Sequence, residues 1–213
     1  QSIYFDLNTF DFIDDKGFEV ESLTCENVEI NSKTINFPNF SFVTARTNLR
    51  ESLSLSFDSF EDFNQYEQKV ELSANLKSSK VFFGDLMHFV KKLNNSSFFI
   101  QNKYKTVDLS GDVNGPIDHL IGRNMTIGIG NEMLLNANFS MRNITKKGGE
   151  FFHFCMKQLE TDMAFLKSFI PGFNPPDNFD KLGNLQFKGS FDGYLKDFVS
   201  YGALKTTMGD AFL

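Results

Sequence analysis

From Leu185 to Leu195, every second residue is apolar or glycine (Leu185, Phe187, Gly189, Phe191, Gly193, Leu195), and Gln186, Lys188, Ser190 and Asp192 fill the positions between. A period of two places alternate side chains on opposite faces, so the stretch is predicted to be a half-buried strand with one apolar and one wet face. Glycine at two inward positions weakens a strand, so it calls for a bend or for close approach by another backbone or a ligand. The same pattern occupies residues 107–130, with Leu109 on Phe187, Gly111 on Gly189, Val113 on Phe191, Gly115 on Gly193, Ile117 on Leu195 and Leu120 on Phe198. One gap then sets Met125 on Leu204, Ile129 on Met208 and Gly130 on Gly209. A repeat this widely spaced excludes a short-period solenoid and points to a sheet assembled from similar β units.

The rest of the chain follows the same rule. Ile3, Phe5 and Leu7 alternate as a strand, residues 14–17 (Asp-Asp-Lys-Gly) read as a turn, and 18–23, 25–30 and 34–37 continue a meander. Pro38 should break its strand or mark an edge, because it cannot donate to a ladder. Residues 40–44 and 53–57 form a pair around a polar stretch, and Val70, Leu72, Ala74 and Leu76 begin another strand. Residues 97–101 and 104–113 are also predicted to be strands, followed by Met125, Ile127, Ile129 and then Met133, Leu135, Ala137, Phe139, Met141. Residues 150–159 are apolar nearly throughout, which predicts a strand covered on both faces.

Helical spacing is short and sparse. Residues 59–66 suggest a helical turn. Asp85 is placed to cap a helix carrying Leu86, Phe89, Val90 and Leu93, whose apolar stripe could plug the sheet or meet a partner. Thr161 or Asp162 should cap a helix with Met163, Leu166, Phe169 and Ile170, stopped by Pro171-Gly172. Residues 173–181, with Pro175-Pro176, read as the linker. The sum is a mainly β fold: an extended, curled antiparallel sheet forming a groove, with two or three short helices and possible sub-units at 1–106 and 107–213. Strand–helix alternation of the kind a parallel nucleotide-binding sheet needs is missing.

Composition narrows the partners. The chain has 27 phenylalanines, no tryptophan and five tyrosines, and phenylalanine suits a dry surface because it needs no hydrogen-bond partner, each burial contributing roughly 1.5–3 kcal/mol. An ordinary core would use it equally well. A net charge of −6 argues against nucleic acid and gives no attraction to anionic membranes. No run approaches a membrane span and no signal peptide is visible, so any membrane anchor is expected outside this piece, which reads as an interior segment.

Chemistry-bearing residues are scattered. Cys25 and Cys155 lie in apolar or strand-like runs without metal-like spacing, and are expected to be buried structural thiols, with a single bridge between them left open. His88, His119 and His153 are isolated, although His153 shares a strand face with Cys155, a hint of a metal or thiol pair set against a plain structural role. Neither a Gly-x-Ser-x-Gly elbow, a His-Glu-x-x-His helix nor a phosphate loop occurs, so no enzyme and no cofactor are expected. Asp108, Ser110, Asp112 and Asn114 suggest a calcium loop at first sight, but Leu109 and Val113 between them make that run the wet face of a strand, and His119 stands where the closing Glu would be. Asn-x-Ser/Thr sequences at Asn39, Asn95, Asn124, Asn138 and Asn143 matter only in a eukaryotic secretory setting.

The run Gly-x-Phe-x-Gly-x-Leu-x-x-Phe from Gly189, followed by Tyr201 to Thr206 and Gly209, resembles the TamB family of AsmA-like proteins in its Bacteroidota form. Residues 78–89 (SSKVFFGDLMHF) and 107–120 (VDLSGDVNGPIDHL) fall in the family's usual order. The resemblance implies an inner-membrane-anchored protein whose long β-groove crosses the periplasm of a Gram-negative bacterium. It further implies carriage of phospholipids to the outer membrane and, with a TamA-like β-barrel partner, support of outer-membrane protein assembly. It brings no catalytic residue. On that reading the wall touching phospholipid acyl chains comprises Leu72, Leu76, Leu109, Val113, Leu135, Phe139, Phe187, Phe191 and Leu195. The alternative is a closed β-sandwich binding or adhesion module with a filled core.

Overall fold

The computed structural model describes residues 1–194 and 196–213. Twelve strands form one antiparallel sheet in strict chain order, a meander without a crossover. They are β1 (Ile3–Ile13), β2 (Glu19–Ile30), β3 (Thr34–Val43), β4 (Asn48–Ser56), β5 (Glu71–Phe82) and β6 (Thr106–Gly115), then β7 (His119–Ile129), β8 (Met133–Arg142), β9 (Phe151–Asp162), β10 (Asn184–Tyr194), β11 (Asp197–Thr206) and β12 (Gly209–Phe212). The first and last strands each have one sheet neighbour, so the sheet curls without closing into a barrel. The expected mainly β architecture is therefore the one observed, and among the described residues no second sheet covers the first. The ladder runs unbroken from the first half of the chain into the second, with Val81 opposite Val107.

Irregularities in the ladder give the sheet its curl. Register shifts interrupt eight of the strand pairings, at places that include Phe37/Phe40, Leu76/Ser79 and Gly122/Met125. Asn27, Ser78 and Asn124 sit at such points with positive φ, and each extra residue bends and twists its strand. Pro38 lies within β3, inside the shift between Phe37 and Phe40. A bulge is where an interior strand tolerates a residue that cannot donate to the ladder.

The two glycine-bearing hairpins are structural equivalents. A Cβ at Gly115 would lie 2.4 Å from the His119 carbonyl oxygen, and one at Gly193 would lie 2.4 Å from that of Asp197. One at Gly111 would lie 2.7 Å from the Asn124 carbonyl, and one at Gly189 would lie 2.0 Å from that of Tyr201. The repeated inward glycines are thus explained by close approach of the next strand's backbone.

The helices all belong to strand connections. A 3-10 turn (Phe60–Gln65) and α1 (Tyr66–Lys69) join β4 to β5, as the spacing predicts. Between β5 and β6 lie α2 (Phe83–Phe89), a 3-10 turn (Lys91–Asn95) and α3 (Ser97–Asn102), and β9 leads into α4 (Met163–Phe169). Of the two expected caps, Asp162 is the one that serves α4, accepting the Phe165 N–H at 2.7 Å, while the Thr161 hydroxyl donates to the Glu132 carbonyl. The linker ends in a 3-10 turn (Asp177–Leu182) tied to α4 by a Lys167–Asp180 ion pair.

Four expectations need correction. Residues 97–101 form α3 rather than a strand: Phe98 packs edge-on against Phe169 and Phe99 against Phe83, and these tertiary contacts override local β preference. Asp85 does not cap its helix, because α2 already begins at Phe83; its carboxylate accepts instead from the hydroxyls of Thr44 and Thr47, both at 2.6 Å. Strand β9 is covered on one face only. Cys155 is exposed while Cys25 is buried, so only one of the two thiols is structural in the sense expected, and both are free.

Candidate functional site

Paired residues in an antiparallel ladder share a face, so the register assembles the inner surface row by row. One row reads Phe37, Leu53, Ala74, Val113, Gly122, Phe139, Phe154, Phe191 from β3 to β10. A second reads Leu109, Ile127, Leu135, Leu159, Phe187, Leu204, Ala211 from β6 to β12. A third reads Ile3, Ile30, Ile35, Leu55, Leu72 from β1 to β5. Leu76 faces the same way, two residues beyond Ala74 on β5. Eight of the nine residues expected to line a wall therefore share one face of one sheet. The ninth, Leu195, lies outside the described residues.

That face is not equally open along its length. Residues 83–102 descend across it and return: Met87, Val90 and Leu93 pack against Ile144 and Phe152, with Ile117, Leu120 and Met141 around them. The far end of this hairpin is pinned to α1, where Lys92 Nζ meets Glu67 Oε2 at 3.1 Å and the Tyr66 hydroxyl donates to the Phe89 carbonyl at 3.1 Å. Its near end is pinned to α4, where Asn102 Nδ2 donates to the Phe169 carbonyl at 2.8 Å. Of the stripe expected on one helix, Leu86, Val90 and Leu93 plug the sheet, but α2 ends at Phe89, so Val90 and Leu93 lie beyond it, and Phe89 itself is 48% exposed. Phe165 of α4 covers Val107, Ile129, Leu135 and Ala137 beside it.

Val113, Leu135, Phe139 and Phe187 are 7–9% exposed: Leu135 lies under Phe165 of α4, whereas Val113 and Phe139 pack with Met125 among side chains of the sheet itself. Leu72, Leu76, Leu109 and Phe191 stay half-buried. The more open surface lies on the other side of the plug. On β1, Ile3, Phe5 and Phe10 are 63%, 43% and 47% exposed, and Leu7, Phe12, Phe37, Phe40, Leu49, Leu53 and Leu55 are half-buried. The alternation of Ile3, Phe5 and Leu7 carried the signal for this surface. What it could not carry was which part of a continuous apolar face the chain itself would cover.

Two polar features mark the open half. Glu51, between Phe40 and Leu76 in the ladder, is 8% exposed and accepts the Lys77 N–H at 2.6 Å and the Ser79 hydroxyl. At the β1–β2 turn, Asp14 accepts the N–H groups of Phe18 and Lys16, both at 2.8 Å, and meets His88 Nε2 at 3.1 Å. The Phe18 N–H, with smaller help from the Lys16 N–H and from His88, holds the Asp14 carboxyl below its ordinary range against a contrary push from burial. His88 also stacks on Phe18 at 4.0 Å between ring centroids, which fixes α2 against this turn.

On the outer face, Asp108 pairs with Lys80, Asn75 donates to Asp112 at 2.6 Å, and Ser73 donates to Asn114 at 2.8 Å. The calcium-like string is thus the wet side of β6. Among the described residues no helix is long and apolar enough to cross a membrane. No family model, curated protein or solved structure matches the chain.

Proposed function

We propose that this chain is one section of a TamB-like protein whose apolar β-groove conducts phospholipid across the periplasm, between inner and outer membranes, and supports outer-membrane protein assembly with a TamA-like barrel. The observation that carries this reading is an unclosed sheet with one continuous apolar face, of which the β1–β5 part retains exposed Ile3, Phe5 and Phe10. A sheet face of this kind suits acyl chains, which need dry contact and no hydrogen bonds. Headgroups would stay in water at the open seam. The unpaired outer edges of β1 and β12 offer ladder groups to further strands, which fits one section of a longer groove. The membrane anchor belongs, on this reading, to another part of the protein.

The contact surface is redrawn from the expected wall. Leu72, Leu76, Leu109 and Phe191 remain in reach, joined by the apolar residues of β1, β3 and β4, whereas Val113, Leu135, Phe139 and Phe187 support them from within. Transfer is passive, with chains sliding along leucine, isoleucine and phenylalanine side chains. The layer of helices over β6–β10 favours a second reading for that half, a binding module with a filled core.

Extraction of lipid from the purified chain separates the two. The groove reading expects co-purifying phospholipid, lost in a Phe5→Asp/Phe10→Asp variant whose thermal melt is unchanged. Phe187 is a poor probe, since an unpaired charge at a buried position destabilises the fold itself. No phospholipid in the parent protein, or equal phospholipid in the double variant, refutes the conduit.

A further inference from the structure

The outer face of β9 and β10 carries a three-residue constellation that the lipid reading does not use. His153 and Cys155 stand two residues apart on β9, and the Cys155 sulfur lies 3.4 Å from His153 Nε2. Across the ladder Asp192 is directly opposite His153, and its carboxylate oxygen Oδ1 is hydrogen-bonded to His153 Nδ1. The order is thiol, imidazole, carboxylate, with each imidazole nitrogen engaged by one partner. The carboxylate fixes the tautomer: Nδ1 carries the proton it donates to Asp192, so Nε2 is left with its lone pair toward the thiol. Exposure completes the arrangement, because Cys155 is open to solvent and the His153 and Asp192 side chains are each 43% exposed.

We propose that Cys155 is a nucleophilic modification site that exchanges with small-molecule disulfides, with His153 as its base and Asp192 as the residue that positions His153. In the step, Nε2 takes the thiol proton and the thiolate attacks one sulfur of the incoming disulfide. A new bond forms between Cys155 and that sulfur while the original disulfide bond breaks. The departing thiolate collects the proton from the imidazolium, and electrons and atoms balance without a further oxidant. The surface is flat, with Asn138 and Ser190 opposite Cys155 and Ser140 opposite His153. That openness suits exchange with a small disulfide and offers no enclosure for turnover of a bound substrate.

Other charged groups on the same face are few. Lys157 follows Cys155 by two residues on β9, and Lys188 precedes Ser190 by two on β10. On the far side of Ser140 lies His119, whose Nε2 is 3.4 Å from the Ser140 hydroxyl and accepts from Arg142 Nε at 3.3 Å. Cys25 supplies the internal control: it is 1% exposed, and burial pushes its thiol above the ordinary range.

The test is the rate of reaction of the folded chain with 5,5′-dithiobis(2-nitrobenzoate) as a function of pH. One thiol should react fast and the other only on unfolding, with Cys155→Ser removing the fast phase. At pH 6.5 an activated thiol gains about fivefold over a free one, once its larger thiolate fraction is set against its weaker nucleophilicity. His153→Gln should remove that gain, and Asp192→Asn should remove part of it. At pH 10, where any exposed thiol is ionised, the gain should vanish and the parent should react no faster than either variant, which separates activation from access. Equal rates for both thiols, or rates at pH 6.5 within about 1.5-fold of the parent in both variants, would overturn the proposal. Because Asp192→Asn keeps the size and a hydrogen-bonding group of the side chain, it tests the idea even if His153→Gln perturbs the strand. The outcome is independent of lipid binding.

Discussion

Leu93→Ala removes the largest of the fully buried side chains among the described residues, from the middle of the segment that crosses the inner face. Leu93 is 1% exposed and packs with Met87, Val90, Ile144 and Phe152. The cavity is bounded by the sheet on one side and the hairpin on the other. Truncating a leucine so enclosed costs about 3–4 kcal/mol, the lost transfer energy plus the cavity left behind. For a chain of this length that corresponds to a fall in melting temperature of about 6–15 °C if unfolding is cooperative. The hairpin's hydrogen bonds are mostly local, so the same loss could emerge as undocking, which native-state hydrogen exchange resolves: amides in 83–102 would lose protection while β7 to β9 keep theirs. Urea titration followed by circular dichroism, combined with that exchange profile, measures both responses. A loss under about 1 kcal/mol with unchanged exchange in 83–102 would show that the hairpin is not seated on the sheet as described. Undocking also uncovers Met141 and Phe152, so the variant should bind more of a fluorescent acyl probe than its parent.

Asp162→Ala leaves the Phe165 N–H without its acceptor and should cost about 0.5–2 kcal/mol, read by chemical denaturation. Gly189→Ala drives a Cβ to 2.0 Å from the Tyr201 carbonyl oxygen, so β10 and β11 must separate locally. That overpacking should cost about 1–3 kcal/mol and raise amide exchange along both strands. Asp62 is held below its ordinary range chiefly by the Ser59 N–H, then by the Asp58 N–H and Lys69. A carboxyl whose folded pKa is lowered stabilises fully above its unfolded value near 3.8 and loses that contribution as pH falls through the depressed one. Asp14 behaves in the same way, so Asp14→Asn/Asp62→Asn should flatten the stability profile below about pH 4 while leaving its shape near neutrality unchanged.

Much of the architecture was legible from local pattern. The alternation at Leu185 to Phe191, the turn at 14–17, and a helix cap at Thr161 or Asp162 are short-range consequences of side-chain direction and hydrogen-bonding chemistry, and each stands where the sequence placed it. The repeat of glycine-bearing runs was legible too, and the structure supplied its reason in the backbone of the neighbouring strand. Less legible was α3, because two phenylalanines among serines fit a strand as well as a helix until Phe83 and Phe169 are brought beside them. Asp85 illustrates the same limit, since its partners Thr44 and Thr47 are about forty residues away in sequence.

The site divides along the same line. Sequence alone determined that Leu72 and Leu76, Leu109 and Val113, Leu135 and Phe139, and Phe187 and Phe191 share a face within their own strands, because a period of two leaves a side chain only two faces to choose from. Whether that face stays open was a tertiary decision: the 83–102 hairpin folds over β6–β10 and leaves Ile3, Phe5 and Phe10 exposed and Leu53, Leu55, Leu72 and Leu76 half-buried beside it. The meeting of Cys155, His153 and Asp192 was decided there as well. It depends on the register between β9 and β10, where a shift between Phe187 and Gly189 brings His153 opposite Asp192. Residues within one strand keep their spacing wherever the strand goes, whereas residues on different strands meet only where the ladder aligns them.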